Sequence, residues 1–510
     1  MDKYFAGIDL GSTNIKAALY KGETLTRIAY CSRPVEYFKQ GSRVEFDGDA
    51  FIKSMLEMLK ELGEKVPPGS ISSVTLTGQA ESLILLDKNY KPLRHAISWM
   101  DERSAAECEE LSRQFTGDEI YRITGQKAVI PTWPATKIIN LAQKEPECIA
   151  NTAFFVLLKD YAAYKLSGIL QADKSIATFS FYFDIYRGCY WEKMMNACAI
   201  KNEQLPPLAE PCTIIGPLNK ALDLGDAYSQ ALLNIGTLDH FAGMIGSGNI
   251  NPGILSESCG TVMAMAAMIR LPLSGTFRRG PDGPRFPSGK DTAALHYGPF
   301  PGTFVLLSVA ENGGICLEWF RNNFLPNYSF DQINSEITKI TGTSGNGLIF
   351  LPYLAGVNAP EFDRNTCGVF FGLHTETSLF DMAKAVMEGV AFLLDKNLAE
   401  LRSTGLDFSH IICTGGAAKS DLWSQIKADI SNCEILIPED SETACRGAAI
   451  IGAVSTGFFA NYDEAVKNCV SIKKRFFPRD NSAYQKKKTG FNVLYKAMLD
   501  TAAAMDENKI

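Results

Sequence analysis

The hydrophobic pattern opens with an apolar run, Tyr4-Phe5-Ala6-Gly7-Ile8-Asp9, of strand length and apolar enough to be buried on both faces. A small polar turn follows, Leu10-Gly11-Ser12-Thr13-Asn14, and residues 15–20 read as the returning strand of a hairpin. A comparable unit comes about half the chain later, with a strand over 253–257, the turn Ser258-Cys259-Gly260-Thr261 and a return over 262–268. A second element also recurs. The apolar strand 71–77 ends in Thr77-Gly78-Gln79, and the strand 410–413 ends in Thr414-Gly415-Gly416. Each follows a stretch with helical periodicity, 51–62 and 382–401. Further helices are predicted over 102–115, 134–144 and 483–505, the last interrupted at Gly490. Residues 271–301, rich in Gly, Pro and Arg, read as a hairpin or loop excursion. The repetition predicts two related α/β halves facing each other, cut near Gly246-Ser247-Gly248 into domains 1–248 and 249–510.

Composition narrows the class. With 46% hydrophobic and 21% charged residues, the 510-residue chain is globular rather than disordered or fibrous. The net charge of −7 and the lack of a basic block argue against a nucleic-acid partner, but not against small anions held by local groups. No apolar run approaches the ~18 residues of a membrane span. The 13 Cys show no CxxC spacing and the five His form no ligand pair, so neither a zinc site nor a disulfide framework is expected. The first residues enter a strand pattern without a signal-peptide apolar region, so the expectation is a soluble cytoplasmic protein with reduced thiols.

Four motifs carry chemistry. In Asp9-x-Gly11-Ser12-Thr13-x-x-Lys16, glycine admits close approach, and turn amides and hydroxyls suit phosphate oxygens. Lys16 adds positive charge, and Asp9 can hold a hydrated magnesium ion. Read alone, the same residues also make an ordinary polar hairpin turn. Gly260 and Thr261 offer an equivalent clamp, so two such turns facing a cleft would hold a nucleotide's phosphates. Gly415-Gly416, with a helix starting near Ser420, lets a flat ligand such as adenine approach the backbone. In Gly236-Thr237-Leu238-Asp239-His240, Asp239 reads either as a capping residue or as a carboxylate that orients an alcohol and accepts its proton.

These residues resemble the FGGY carbohydrate kinases, relatives of glycerol kinase, xylulokinase and ribulokinase. The resemblance runs from the Asp9 hairpin to about Phe459. Its most specific stretch is Gly415-Gly416-x-x-x-Ser420-x-x-Trp423-x-Gln425-x-x-Ala428-Asp429. Trp99-x-Asp101-x-Arg103, the stretch from Pro131 to Lys137, Lys159-Asp160-Tyr161, Leu351-Pro352-Tyr353 with Ala359-Pro360, and Glu388-Gly389 add to it. The resemblance implies an α/β fold of two actin-like (ribonuclease H-like) ATPase domains flanking a central cleft. It also implies transfer from ATP, with Mg2+, to a hydroxyl of a small sugar or polyol, and a homodimer. By motif, Asp239 is the implied catalytic base and, with Asp9, the implied metal residue. Asp9, Gly11, Ser12, Thr13 and Lys16 form the first phosphate motif, and Gly260 and Thr261 the second. Gly314, Glu318, Gly415, Gly416 and Ser420 fall at the nucleotide site, and Gln79, Ala80, Glu81, Trp99, Asp101 and His240 at the acceptor. Trp133 reads equally as pocket wall or core aromatic. Ala80-Glu81 departs from the Met-His of many xylulokinases, and Ala80 lacks the Arg of the glycerol kinase pattern. Arg446 stands where the family usually has an apolar residue and reads as a surface salt bridge or as a group that reaches the nucleotide or a charged substrate. An actin-like ATPase without a sugar acceptor and an inactive sugar-binding relative are the competing classes.

Overall fold

Two sheets organise the molecule, and the chain builds them in the same way twice. The computed structural model describes residues 2–270, 278–280, 283–285, 293–340, 347–356, 366–403 and 405–506. In the first sheet, β1 (Tyr4–Leu10), β2 (Asn14–Lys21) and β3 (Thr26–Pro34) form an antiparallel meander. β4 (Ile71–Gly78) lies parallel to β1 on its other side, β5 (Ile214–Pro217) is the edge, and β6 (Leu232–Leu238) lies between them. In the second sheet, β7 (Ile254–Cys259) and β8 (Met263–Arg270) form the hairpin. β9 (Ala294–Tyr297) is the edge beyond β10 (Thr303–Ala310), which pairs antiparallel with β8. β11 (His410–Thr414) runs parallel to β7, β12 (Glu434–Pro438) parallel to β11, and β13 (Ile472–Phe476) closes the far edge antiparallel to β12.

Four helices frame the sheets. α1 (Gly48–Gly63) precedes β4, α2 (Asp239–Ser247) follows β6, α3 (Leu379–Ser403) precedes β11, and α4 (Thr443–Ser455) follows β12. α1 starts where Asp47 accepts the Asp49 and Ala50 N–H groups, a cap that contributes about 1 kcal/mol. Its apolar face, including Phe51, Met55, Leu59 and Leu62, then buries against the first sheet.

α2 and α4 cross in direct backbone contact. A Cβ on Gly246 would stand 1.9 Å from the Thr443 carbonyl oxygen, and one on Gly447 would stand 1.8 Å from that of Ala242. α4 also lies on β1, and its Cys445, Ala449 and Ile450 share a core with Phe5, Ala18 and Tyr20. Packing therefore does not follow the chain division at residue 248, because a helix from the second half covers the first sheet.

The expected elements are present with small shifts at their ends. The helix predicted over 102–115 is Ala105–Gln114, and that over 134–144 is Pro134–Lys144. One expectation is corrected. The terminal helix Ser482–Asp506 continues through Gly490, whose missing side chain makes room for Ile349, 2.9 Å from where its Cβ would be. Within 271–301 the described residues include a small hairpin, Arg278–Gly280 with Gly283–Arg285. Residues 271–277, 281–282 and 286–292, like Ala359 and Pro360, lie outside the described residues.

Candidate active site

The first hairpin sets the charges. Asp9 pairs with Lys16 across β1 and β2, one step before the Leu10–Ile15 pair that closes the turn. The turn is braced from outside: the Tyr37 hydroxyl donates to the Ser12 carbonyl at 2.8 Å and the Val35 N–H to that of Thr13 at 3.0 Å. Asp9 is buried, and its Oδ1 has no hydrogen-bond partner. Burial, and then the charges of Asp239 and Glu442, push its carboxyl up to about 7 against the pull of Lys16. Lys16 is itself 3.0 Å from Glu442 Oε2. Burial opposes its charge, but Asp9 and Glu442 outweigh burial and raise its pKa.

Asp239 is the first residue of α2, and its Oδ1 accepts the His240 N–H at 2.6 Å. Its reach into the Asp9 field comes from β6, whose end abuts the strand end that carries Asp9's neighbours. Arg446, expected on the surface, is instead buried beside Asp440, 3.7 Å away. Asp440 also takes Arg27 at 2.9 Å, the Tyr20 hydroxyl at 3.3 Å and the Glu442 N–H at 3.0 Å. Arg446 thus helps neutralise the carboxylate that anchors the Lys16 partner, which explains a cation at an otherwise apolar position.

The second turn opens on a cavity of about 540 Å³, within the usual size range of small-molecule sites. It is lined by Gly260, Thr261, Gly314, Glu318, Gly416 and Ser420, so six of the expected nucleotide residues come together. The Gly314 N–H donates to the Gly260 carbonyl at 2.8 Å, which ties the turn to the start of helix Ile315–Phe324. Ser420 caps helix Asp421–Ser431 by accepting the Trp423 N–H at 3.1 Å and donates to Asn334 Oδ1 at 3.1 Å. Gly415 stands behind the wall, against the backbone of Cys259. Cys259 is buried, and burial pushes its thiol up to about 12, so it is an inert wall rather than a nucleophile. Sequence reasoning missed Asn334, and also Arg321, whose guanidinium lies 4.4 Å from the Phe330 ring centre. Both lie on helices of ordinary amphipathic pattern, which carries no mark of a cavity.

On the acceptor side, Gln79 ends just past β4 and is buried, with Oε1 accepting the Ser82 hydroxyl at 3.0 Å and Nε2 unpartnered. The same Ser82 oxygen accepts the Trp99 N–H at 3.2 Å, so Gln79 and Trp99 share one support. Glu81 adopts φ 62°, and its Oε2 is buried without a partner. Burial pushes the Glu81 carboxyl up and the nearby Lys137 ammonium down. Lys137 donates to the Glu81 carbonyl at 3.2 Å and the Ser98 carbonyl at 2.8 Å. The 131–137 motif contained this lysine without indicating its task. Ala80 and His240 are half-buried, and Trp99 is partly exposed.

Asp101 does not point into open space. It is fully buried, with Oδ2 accepting from Val44 N–H at 2.6 Å and Arg103 at 2.8 Å, and Oδ1 from Arg103. These bonds make it a brace for the Trp99 loop. Trp133 is a core aromatic: it is buried, stacked on Phe181 at 5.6 Å, and its ring N–H donates to Ala128 at 3.1 Å.

Comparison with known proteins decides the class. The FGGY family of carbohydrate kinases, N-terminal domain, matches residues 4–246, and its C-terminal domain matches residues 297–456. The chain belongs to the FGGY family of carbohydrate kinases. This kinase is 28% identical to the xylulose kinase of Bacillus subtilis (strain 168), covering 97% of this chain and 96% of the relative. It is 27% identical to the gluconokinase of Bacillus licheniformis, covering 96% and 94%. Its fold matches the ligand-bound xylulose kinase from Lactobacillus acidophilus with a TM-score of 0.88 at 24% identity, over 99% and 100% of the two chains. It also matches Plasmodium falciparum glycerol kinase with ADP, with a TM-score of 0.85 at 21% identity, over 98% of each chain. The two sheets are therefore the two actin-like domains of a sugar or polyol kinase. No helix among the described residues is long and apolar enough to cross a membrane.

Proposed function

We propose that this kinase transfers the γ-phosphoryl group of ATP to a hydroxyl of an uncharged ketose or polyol, with Asp239 accepting the hydroxyl proton. The observation that carries the reading is Asp9, whose buried Oδ1 has no hydrogen-bond partner and whose carboxyl is raised first by burial and then by the charge of Asp239. A buried, unpartnered Asp9 oxygen beside a second carboxylate fits a hard divalent cation. Asp9 and Asp239 are the residues that would hold it, and it would supply neutralising charge to the phosphates. The turns at Gly11–Thr13 and Gly260-Thr261 offer donors to phosphate oxygens, and Lys16 adds charge. Asp239 orients the acceptor and takes its proton, so that rate comes from positioning and charge rather than covalent chemistry.

The acceptor's charge follows from Glu81. Its buried Oε2 has no hydrogen-bond partner, and burial raises its carboxyl to about 7 against the pull of Lys137, whose ammonium donates to two carbonyls. An acceptor hydroxyl satisfies that oxygen, and a sugar acid's carboxylate is repelled by it in its ionised form, which burial confines to pH near 7 and above. The test is an ATP and magnesium assay over xylulose, ribulose, glycerol and gluconate, reading ADP and phosphorylated product. A neutral acceptor is expected to lead, with gluconate about 100-fold lower in kcat/KM. Gluconate as the best acceptor overturns the charge argument. ATP hydrolysis indifferent to every acceptor returns the molecule to the ATPase class.

A further inference from the structure

One family motif, Lys159-Asp160-Tyr161, touches neither the acceptor residues nor the nucleotide cavity, yet Lys159 is fully buried. Its destination is the strand that delivers Asp239. β6 runs in register with β4 as far as Asn234–Thr75 and resumes at Thr237–Thr77, so Ile235 and Gly236 together oppose Leu76. This is a bulge, and it requires glycine: Gly236 has φ 65°, and a Cβ there would stand 1.6 Å from the Leu76 carbonyl oxygen. Backbone groups displaced from a ladder and buried need other partners. Side chains supply them. The Lys159 ammonium donates to the Ile235 carbonyl at 2.5 Å. The Gly236 N–H donates to Asn234 Oδ1 at 2.8 Å, and the Thr77 hydroxyl to the Thr237 carbonyl at 2.8 Å.

The last of these contacts lies next to the reacting residue. The Leu238 N–H donates to Ser175 Oγ at 3.2 Å, and Asp239 follows at once. Ser175 gives its own proton to Asp173, so its oxygen accepts from both Leu238 and the Thr237 hydroxyl, 2.8 Å away. Asp173 also accepts the Ser175 N–H at 2.8 Å and forms a fully buried ion pair with Lys159. The hydrogen-bond direction at each link is thereby fixed by its neighbour.

We propose that Ser175, held by Asp173 and Lys159, is a positioning residue that sets the direction of Asp239 by clamping the bulged end of β6. The proposal rests on the reading of Asp239 as the base. Loss of the Ser175 hydroxyl frees the Leu238 amide and lets Asp239 turn from the acceptor hydroxyl. In Ser175→Ala, kcat with the best acceptor of the panel is expected to fall about 10-fold while KM for ATP stays within about twofold. The phosphorylated product formed per ADP should fall with it, because water then competes with a poorly oriented hydroxyl. A merely structural role lowers the melting temperature and leaves that ratio at its wild-type value, an outcome that overturns the proposal. Unchanged kcat and ratio overturn it too. Asp239→Asn is assayed alongside. If Asp239→Asn still turns over, the base assignment fails and the clamp with it. If it is inactive while Ser175→Ala behaves as wild type, the clamp alone fails. Should Ser175→Ala not fold, Thr237→Val removes the adjoining hydroxyl at constant shape and is read by the same two quantities.

Discussion

The two hairpins have the same topology and opposite chemistry. In the first, the pair one step before the turn is Asp9 with Lys16; in the second, the corresponding pair is Ser258 with Ala264. The first hairpin therefore concentrates charge beside Asp239 and Glu442, while the second turn leaves a neutral wall of Cys259, Gly260 and Thr261 on the nucleotide cavity. The second sheet does hold a charged pair, Glu257 with Lys427, but both are buried and neutralise each other in the core. On the proposed function, one fold used twice would separate tasks: the chemistry of phosphoryl transfer at the first sheet and nucleotide recognition at the second.

The sharpest way to test this division is at the charged end. Asp239→Asn is expected to lower acceptor-dependent turnover by about 1,000-fold, within the range for loss of a general base, with nucleotide affinity retained. Steady-state kinetics with nucleotide titration checks both halves of that statement.

Asp9→Asn should cost about 100-fold in magnesium-dependent turnover. It should also reveal the strain of the site. A carboxyl raised above its unfolded value makes the fold bind a proton that the unfolded chain has released, so stability from this group declines as pH rises from about 4 through about 7. The variant should therefore melt higher than the wild type at pH 8, by a margin that shrinks toward pH 4. A margin that is constant with pH would place Asp9 outside the charged cluster.

The joint between the halves comes next. Gly447→Ala puts a methyl 1.8 Å from the Ala242 carbonyl oxygen and should cost about 2 kcal/mol of stability, read by denaturant titration. At the neutral end the effects should be smallest. Asn334→Ala removes a cavity-wall amide and should raise KM for ATP about fivefold with little change in kcat or in acceptor KM. A large kcat effect there would break the division of labour between the hairpins.

Much of this was legible in the chain. The two hairpins, the glycine-ended strands and the helices before them follow from apolar runs and turn residues, because local periodicity records which face is buried. Six residues that the motifs single out, from three separated segments, line one cavity. Other readings failed for stated causes. Gly490 looked like a helix break because intrinsic propensity ignores a neighbour such as Ile349. The burial of Asp101 and Arg446 is not visible in the chain, because the groups that surround them come from distant segments: Val44 bonds Asp101, and Arg27 and Tyr20 bond the Asp440 that faces Arg446.

By itself, then, the sequence determined the class of fold, the family and the residue types available for phosphate, metal and acceptor, since these depend on short-range pattern and motif spacing. The tertiary structure alone decided which of those residues share a field. It brought Glu442 to Lys16, crossed α2 over α4 through glycines more than 200 positions apart in the chain, and bonded a buried lysine to the bulged strand that leads to Asp239. Burial and Coulomb interactions act through space, and neither distance nor dielectric environment is written in the order of the residues.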